Sequence, residues 1–557
     1  MHRARSDATP PMTATQAGGP ASSDGQTKRD DDAPGLDDDA FDLDVAALEL
    51  PEAHPFDPSA KRGIRRTGTH ISHLVFTDER VYKFRKPVDL GFLDFSSIRE
   101  RNEDCLREVA LNRRLAPDVY LGVAPLFDEA PTGPFIGHID ESLCGGPEGP
   151  YEHCVVMRRL PEGGDAESHL RAGRLGPERV ESMAALLADF HGTNRLWGDH
   201  LGGATQYLEH VQAPARASLA ALQGRVGGTL LARVRAAQEK HFERIRASLE
   251  RRRRLGLTVD GHGDLRLEHV WFEDGRPPVV IDCIEFDADL RRTDPANDVG
   301  FLLADLDHRS APAAAGLFLQ SYVWETDDYG ILPVLDYFQA HAAGVRAKVA
   351  SIEDAERSCS VRAEARLERA LEWLERRQRP AIFVLSGLVG TGKSSVARAI
   401  AMATDGIVVC SDRVRQRLDA LLAVGTDDLY DERRKAEVYD GLFARAAAIL
   451  ESGRPAVLDA SFDRPERRAM AIELAREWDC RVVFVETRCA PDVARARLAE
   501  RQADGGDPSD AGPERFADSE AAFQPIEDVP EWAHWVLDTT SGEDWPDELA
   551  ARLVQLG

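Results

Sequence analysis

Gly387-Leu388-Val389-Gly390-Thr391-Gly392-Lys393-Ser394-Ser395 fits the pattern G-x-x-x-x-G-K-[ST], and its flanks supply the context that pattern needs. The apolar run Ala381–Leu385 before it reads as a buried strand, and the Ala-rich stretch through Ala403 reads as a helix. A strand entering a glycine loop and then a helix aims backbone N–H groups and a positive dipole end at one spot. Phosphate fits that spot. Lys393 would reach the β- and γ-phosphates, Ser394 would ligate Mg²⁺, and Gly387, Gly390, Thr391, Gly392 and Ser395 complete the cradle. The plainer reading is an ordinary Gly-rich turn, and the flanking strand and helix argue against it. The C-terminal part is therefore expected to bind a nucleoside triphosphate, ATP with Mg²⁺.

Downstream, apolar runs at Ile407–Cys410, Ala456–Leu458 and Val482–Val485 alternate with helical stretches, which predicts a parallel sheet covered on both faces. Ligands should gather at the carboxyl ends of its strands. Three further elements fall there. Asp412 and Arg415, three apart at a helix start, share a face. The carboxylate would take a proton from an acceptor hydroxyl and the guanidinium would hold an anionic group, or Asp412 is only a helix cap. Asp459 ends a strand, either as a Walker-B-like acid near Mg²⁺ or as a turn residue. Arg497 and Arg501 precede the run Ala503–Asp507, which suits a lid that closes on phosphates, or a solvated Arg-rich face.

A second constellation lies upstream: His262-Gly263-Asp264-Leu265-Arg266-Leu267-Glu268-His269, then Ile281-Asp282 beyond a hairpin-like stretch. This is the order of a kinase catalytic loop and metal-binding segment, with Asp264 as base and Asp282 holding Mg²⁺. The bland alternative is a His-Gly-Asp turn beside a hairpin. Lys83, on the β-like run Arg80–Phe84, would pair with α- and β-phosphates. Glu108, on the following helix Ser97–Leu115, would form its ion pair. Met157–Leu160 would be a hinge offering backbone groups to an adenine.

The chain has 557 residues, too many for one core. Its composition, 43% hydrophobic and 30% charged, fits a globular protein. A formal net charge of −27 argues against broad affinity for nucleic acid or anionic membranes. The eight cysteines lack CxxC spacing and read as reduced thiols. No apolar run is long enough to span a bilayer and no signal h-region follows Arg3 and Arg5, so the cytoplasm is the expected compartment. The expected organisation is a disordered acidic tail over 1–40, a first domain over 41–350, a helical connector over 351–378 and a second domain over 379–557.

Residues 379–510 resemble the small P-loop kinases, the branch with polynucleotide 5′-kinases, gluconate-type kinases and zeta-toxin-like kinases. That resemblance implies Asp412 as base and Arg415 as a substrate contact. Residues 64–350, including Asp294-Pro295-Ala296-Asn297-Asp298, resemble the aminoglycoside phosphotransferase and choline-kinase-like family, in which Asp298 would help hold the catalytic loop. The order of the two parts resembles bacterial bifunctional aminoglycoside phosphotransferase/ATP-binding proteins. Two departures stand out: His269 occupies the position this family gives to a metal-binding Asn, and the phosphate-covering loop Thr67–Ser72 offers only Gly68. The fold class expected is multidomain, an α+β bilobal protein-kinase-like domain followed by an α/β P-loop kinase domain with a parallel sheet. The function expected is ATP-dependent phosphotransfer to a hydroxyl of a small molecule. A polynucleotide 5′-end kinase, or a nucleotide-responsive regulatory protein with a weak first domain, stands as the alternative.

Overall fold

The computed structural model describes residues 46–557, apart from 70, 90, 92, 130–132, 148–150, 199, 355–359, 377–379, 423–431, 505–511, 543 and 557. The expected acidic tail, and the glycines of the expected lid loop, lie outside the described residues.

The first domain opens with a six-stranded antiparallel sheet in the order β1-β2-β3-β6-β4-β5. Its strands are β1 Arg65–Gly68, β2 Ser72–Phe76, β3 Arg80–Arg85, β4 Tyr120–Glu129, β5 Gly133–Ile136 and β6 Glu152–Arg158. Helix α1, Ile98–Asn112, starts at a capping box in which Ser97 and Glu100 satisfy each other's backbone N–H. It packs on the sheet through Cys105 and Val109 against Tyr120, Val123 and Val155. Strand periodicity puts Lys83 and Arg85 on one face, and helical periodicity puts Asp104 and Glu108 on the face opposite them. The sequence pattern shows β2, β3 and β6 but not β4 or β5, because Gly122, Pro125, Gly133 and Pro134 break the alternation.

The helical part follows: α2 Ala166–Arg171, α3 Pro177–Thr193, α4 Ala204–Ala220 and α5 Gly228–Arg254. Strand β7, Val259–Asp260, later pairs with β10, Arg292–Thr293, and between them lies the hairpin of β8 Val270–Trp271 and β9 Val279–Val280. Helices α6 Ala296–His308, α7 Pro312–Thr326, α8 Leu332–Glu353 and α9 Val361–Leu374 complete this part. The stretch expected as a helical connector, 351–378, holds the end of α8 and the whole of α9. α8 is largely buried. α9 buries Ala363, Leu367, Ala370, Leu371 and Leu374, an i, i+4, i+7, i+8, i+11 stripe that lays it along α8 and α5.

The second domain carries a five-stranded, all-parallel sheet in the order β12-β13-β11-β14-β15. Its strands are β11 Ala381–Ser386, β12 Ile407–Cys410, β13 Ala456–Asp459, β14 Arg481–Arg488 and β15 His534–Asp538. Its helices are α10 Lys393–Thr404, α11 Ser411–Leu422, α12 Glu432–Glu451, α13 Pro465–Glu477, α14 Pro491–Asp504, α15 Arg515–Ala522 and α16 Trp545–Leu556. Central β11 delivers the glycine loop to the carboxyl end of the sheet, level with Asp459 and Cys410.

The two domains share a core: one apolar cluster runs from Leu115 through Phe338 to Phe484. Edge strand β12 meets α7. The Gln320 side chain donates to the Val408 carbonyl at 3.1 Å and accepts the Val408 N–H at 2.7 Å, while Trp324 Nε1 donates to the same carbonyl at 3.2 Å. Buried Arg454 pairs with buried Asp336 at 2.6 Å. Replacing Gln320 with Leu leaves the Val408 N–H buried and unpaired, so we expect a loss of about 1–3 kcal/mol in urea-induced unfolding. A change below about 0.5 kcal/mol, the ordinary range for a surface substitution, would contradict the role given to this contact.

Candidate active sites

In the first domain, residues far apart in sequence meet where the sheet faces the β8–β9 hairpin. Lys83 Nζ lies 2.9 Å from Glu108 Oε1 and 3.3 Å from Asp282 Oδ1. Burial opposes charge on Lys83, but Glu108 and Asp282 outweigh it and hold the ammonium above its ordinary pKa. Burial would likewise raise the Asp282 carboxyl, and Lys83 and His269 reverse this, holding it well below the carboxylate range. Beneath them sits fully buried Arg85, bonded to Asp104 at 2.7 Å, Glu108 at 2.6 Å and Glu285 at 2.5 Å. Burial pushes the Glu285 carboxyl up against the pull of Arg85. Arg85 and Glu285 escaped the sequence reading, although each lies within three residues of a motif residue.

The loop carrying Asp264 is fixed from behind. Asp298, on the first turn of α6, accepts the N–H groups of His262 at 2.7 Å and Gly263 at 2.8 Å. His191 Nε2 lies 3.1 Å from the same carboxylate. A Cβ on Gly261 would come within 2.5 Å of Asp298 Oδ2, so glycine is what allows this approach. His262 accepts the Asp264 N–H at Nδ1 (3.3 Å) and donates from Nε2 to the Ile281 carbonyl at 2.9 Å. Asp264 itself has Oδ2 3.1 Å from Arg266 Nε, while its buried Oδ1 has no hydrogen-bond partner. Arg266, two residues on in the same motif, is the loop residue the sequence reading left without a role.

Two expected site residues make contacts within the fold. His269 was expected as a metal ligand, but its Nδ1 lies 3.0 Å from the Asp264 carbonyl and its Nε2 is 2.9 Å from Arg266 Nη2. Nε2 also lies 3.5 Å from Asp282 Oδ2, so Arg266 stands between this imidazole and the acid expected to hold the cation. At the hinge, Met157 is paired within β6, and the N–H groups of Arg158 and Arg159 donate to the carbonyls of Val119 and Glu79, both at 2.8 Å. Those two amides are therefore engaged within the fold.

In the second domain the glycine loop turns through positive φ at Gly387 (+133°), Gly390 (+79°) and Gly392 (+85°). A Cβ on Gly390 would lie 2.7 Å from the Ala494 carbonyl oxygen. Lys393 Nζ lies across the loop, donating to the carbonyls of Gly387 (3.1 Å) and Leu388 (2.8 Å). Burial lowers its pKa, against the pull of Asp459 and Asp412. Ser394 hydrogen-bonds buried Asp459, whose carboxyl burial pushes up. Thr391 uses its hydroxyl inside the fold, on the Leu388 carbonyl (2.8 Å) and Thr487 (2.7 Å). Ser395 is exposed on the first turn of α10.

Asp412 lies inside the first turn of α11 and accepts from Arg415 Nη1 at 2.7 Å. Arg501 is close enough for its charge to act on Lys393. Arg497 instead donates to the Thr539 carbonyl at 2.6 Å, and Thr539 donates to the Thr391 carbonyl at 2.7 Å.

Among the described residues no group of three or more His, Cys, Asp or Glu side chains would hold a metal alone. The Ser394–Asp459 pair, and separately Asp282, would nonetheless supply hard oxygen donors of the kind a Mg²⁺ ion takes. The described cysteines are free, and no described helix is long and apolar enough to cross a membrane.

Residues 66–334 match the model of the phosphotransferase enzyme family, and residues 382–526 match that of the AAA domain. Uncharacterized proteins of Mycobacterium tuberculosis and Mycobacterium bovis are 29% identical over 482 residues, 82% of this chain and 89% of theirs. Among solved structures, a choline/ethanolamine kinase family protein from Mesorhizobium loti is 14% identical, covering 60% of this chain and 94% of its own (TM-score 0.36). A gluconokinase from Sinorhizobium meliloti 1021 is 19% identical, covering 32% and 95% (TM-score 0.25).

Acid should loosen the first domain in two stages. Burial and neighbouring His269 lower the His262 pKa from 6.5 to about 4, so between these values the unfolded chain binds more protons and stability falls as pH falls. Asp298 is lowered to about 2 from 3.8, its hydrogen bonds overcoming burial; its stabilisation is complete above pH 3.8 and lost below. We expect His262→Asn to flatten the slope of unfolding free energy between pH 6.5 and 4 by about one proton. An unchanged slope would exclude the assignment.

Proposed function

We propose, for a chain that joins a phosphotransferase-family domain to a P-loop, kinase-like domain, that each domain transfers the γ-phosphoryl group of ATP to a hydroxyl of a small molecule. The observation that carries this reading is the meeting of Lys83 with both Glu108 and Asp282 beside an Asp264 oxygen that lacks a partner. Ion pairing with Glu108 orients Lys83 toward the α- and β-phosphates. Asp264 accepts the acceptor hydroxyl's proton as that oxygen bonds to the γ-phosphorus and the bond to the β-phosphate oxygen breaks, releasing ADP. Asp282 would hold Mg²⁺, which supplies charge neutralisation on the phosphates.

In the second domain the loop amides and Lys393 hold the phosphates, Arg501 adds charge at Lys393, and Arg497 supports the loop from Thr539. Ser394 and Asp459 would hold the cation. Asp412 takes the acceptor proton, and Arg415, 2.7 Å away, orients that carboxylate. The net charge of −27 favours a small-molecule acceptor over a nucleic-acid end, and ATP as donor points to the cytoplasm.

One observation favours a second reading for the first domain. His269 stands where the kinase pattern has a metal-binding Asn, and Arg266 Nη2 lies 2.9 Å from its Nε2, which suits nucleotide sensing without turnover.

Labelling with γ-labelled ATP, metabolite pools and oligonucleotides decides between these. Asp264→Ala should lower one set of products at least about 10²-fold, the scale of a lost general base. Lys393→Ala should lower the other about 10²–10³-fold, the scale of a lost charge stabiliser. If Lys393→Ala leaves all transfer intact, the P-loop assignment fails. If Asp264→Ala changes no product, the first domain is a binding module.

A further inference from the structure

A cavity of about 220 Å³ lies between α6, α8 and α9, with Arg266 of the Asp264 loop in its lining. Its floor is apolar, with Phe301 and Trp373. Its polar lining is dominated by four arginines, Arg266, Arg346, Arg366 and Arg369, against two carboxylates, Asp305 and Asp307. Those carboxylates are already engaged. Asp307 pairs with Arg369 at 2.7 Å. Asp305 accepts the Leu267 N–H at 3.0 Å and lies 3.4 Å from Arg309.

Arg346 and Arg366 are left without a carboxylate among the described residues. Arg346 makes no ion pair there. Arg366 Nη2 meets only His308 Nε2, at 3.1 Å, and its buried Nε has no hydrogen-bond partner. Burial, then Arg366 and its neighbours, hold the His308 pKa down, so this imidazole brings no compensating charge. Burial and the charge of Arg346 also lower the pKa of Arg366. Asp305 acts on Arg366 electrostatically, but four guanidiniums against two carboxylates in a partly enclosed space leave an excess of positive charge that calls for an anion, and the planar forks match an oxyanion.

We propose that this cavity takes the oxyanion, phosphate or carboxylate, of the acceptor whose hydroxyl Asp264 deprotonates. The proposal rests on the phosphotransfer reading of the Asp264 site. Arg266 links the two places, since it lines the cavity and lies 3.1 Å from Asp264. The first domain therefore selects hydroxylated anions, and the same arginines repel cationic amino sugars.

The test uses the full chain in two arms. In the first, a saturating non-hydrolysable ATP analogue fills both nucleotide sites and inorganic phosphate is added as probe. Phosphate should raise the melting temperature of the wild type but not of Arg346→Gln/Arg366→Gln, and Arg346→Lys with Arg366 intact should keep the shift, which guards against misfolding as the cause. In the second, the Lys393→Ala background isolates the first domain, and labelled ATP is offered with hydroxyl compounds bearing phosphate, carboxylate, amine or no charge. The anionic acceptors should be labelled in an Asp264-dependent way. The double Gln variant should raise their KM about ten- to hundredfold, the scale of charged hydrogen bonds, with kcat within about threefold. Equal phosphate shifts in wild type and variant overturn the cavity as a site. Asp264-dependent labelling of neutral or cationic acceptors that ignores both substitutions overturns the specificity while sparing the phosphotransfer reading. A phosphate shift without any Asp264-dependent labelling overturns the acceptor role and the phosphotransfer reading together, leaving a bare oxyanion site.

Discussion

The arrangement of this protein depends on how the peptide group of Val408 is closed. An edge strand ordinarily presents unpaired N–H and C=O groups to solvent. Here the amide of Gln320 stands in for a neighbouring strand and Trp324 adds a third bond. Because β12 runs directly into Asp412, this contact also fixes the strand that carries a candidate base. At the end of the same helix, Asp327 binds Arg445 of α12 at 2.7 Å, while Asp328 binds Arg252 at 2.7 Å. Arg252 also grips Asp294 at 2.7 Å, just ahead of the helix whose Asp298 holds the Asp264 loop. Contacts therefore run without a break from one candidate site to the other.

Buried arginines do much of this joining. Arg85, Arg101, Arg252 and Arg468 are among the largest fully buried side chains. Arg85, Arg252 and Arg468 meet carboxylates, and Arg101 is bidentate to Glu152. A planar fork with five donors suits such sites in a way an ammonium does not. Against this background Arg346 and Arg366 stand apart, because they line a cavity and form no ion pair among the described residues.

The glycine loop was legible in sequence because its chemistry is local: backbone amides, a lysine and a hydroxyl within nine residues. Lys83, Glu108, Asp264 and Asp282 were legible too, although spread over two hundred residues, because each sits beside a recognisable strand, helix or turn. What stayed hidden depends on tertiary neighbours. His269 looks like a ligand until Arg266 and the Asp264 carbonyl are seen against its two nitrogens. The hinge amides look available until β3 and β4 are found on either side. Nothing local marks Arg346 and Arg366, because the cavity they line forms only where α6, α8 and α9 pack. Nothing in residues 361–374 marks α9 as a cavity wall rather than a tether. Gln320 and Val408, 88 positions apart, leave no signature in either segment.

The shared core also bears on the order in which the chain is made. Synthesis runs from the N-terminus, and domains commonly fold as they emerge. Yet the apolar cluster that holds the first domain together includes Ile407, Leu458 and Phe484. A nascent chain that has completed α8 still carries Gln320 without its strand and Asp336 without Arg454. That face of the first domain is therefore covered only once the second domain's sheet has left the ribosome.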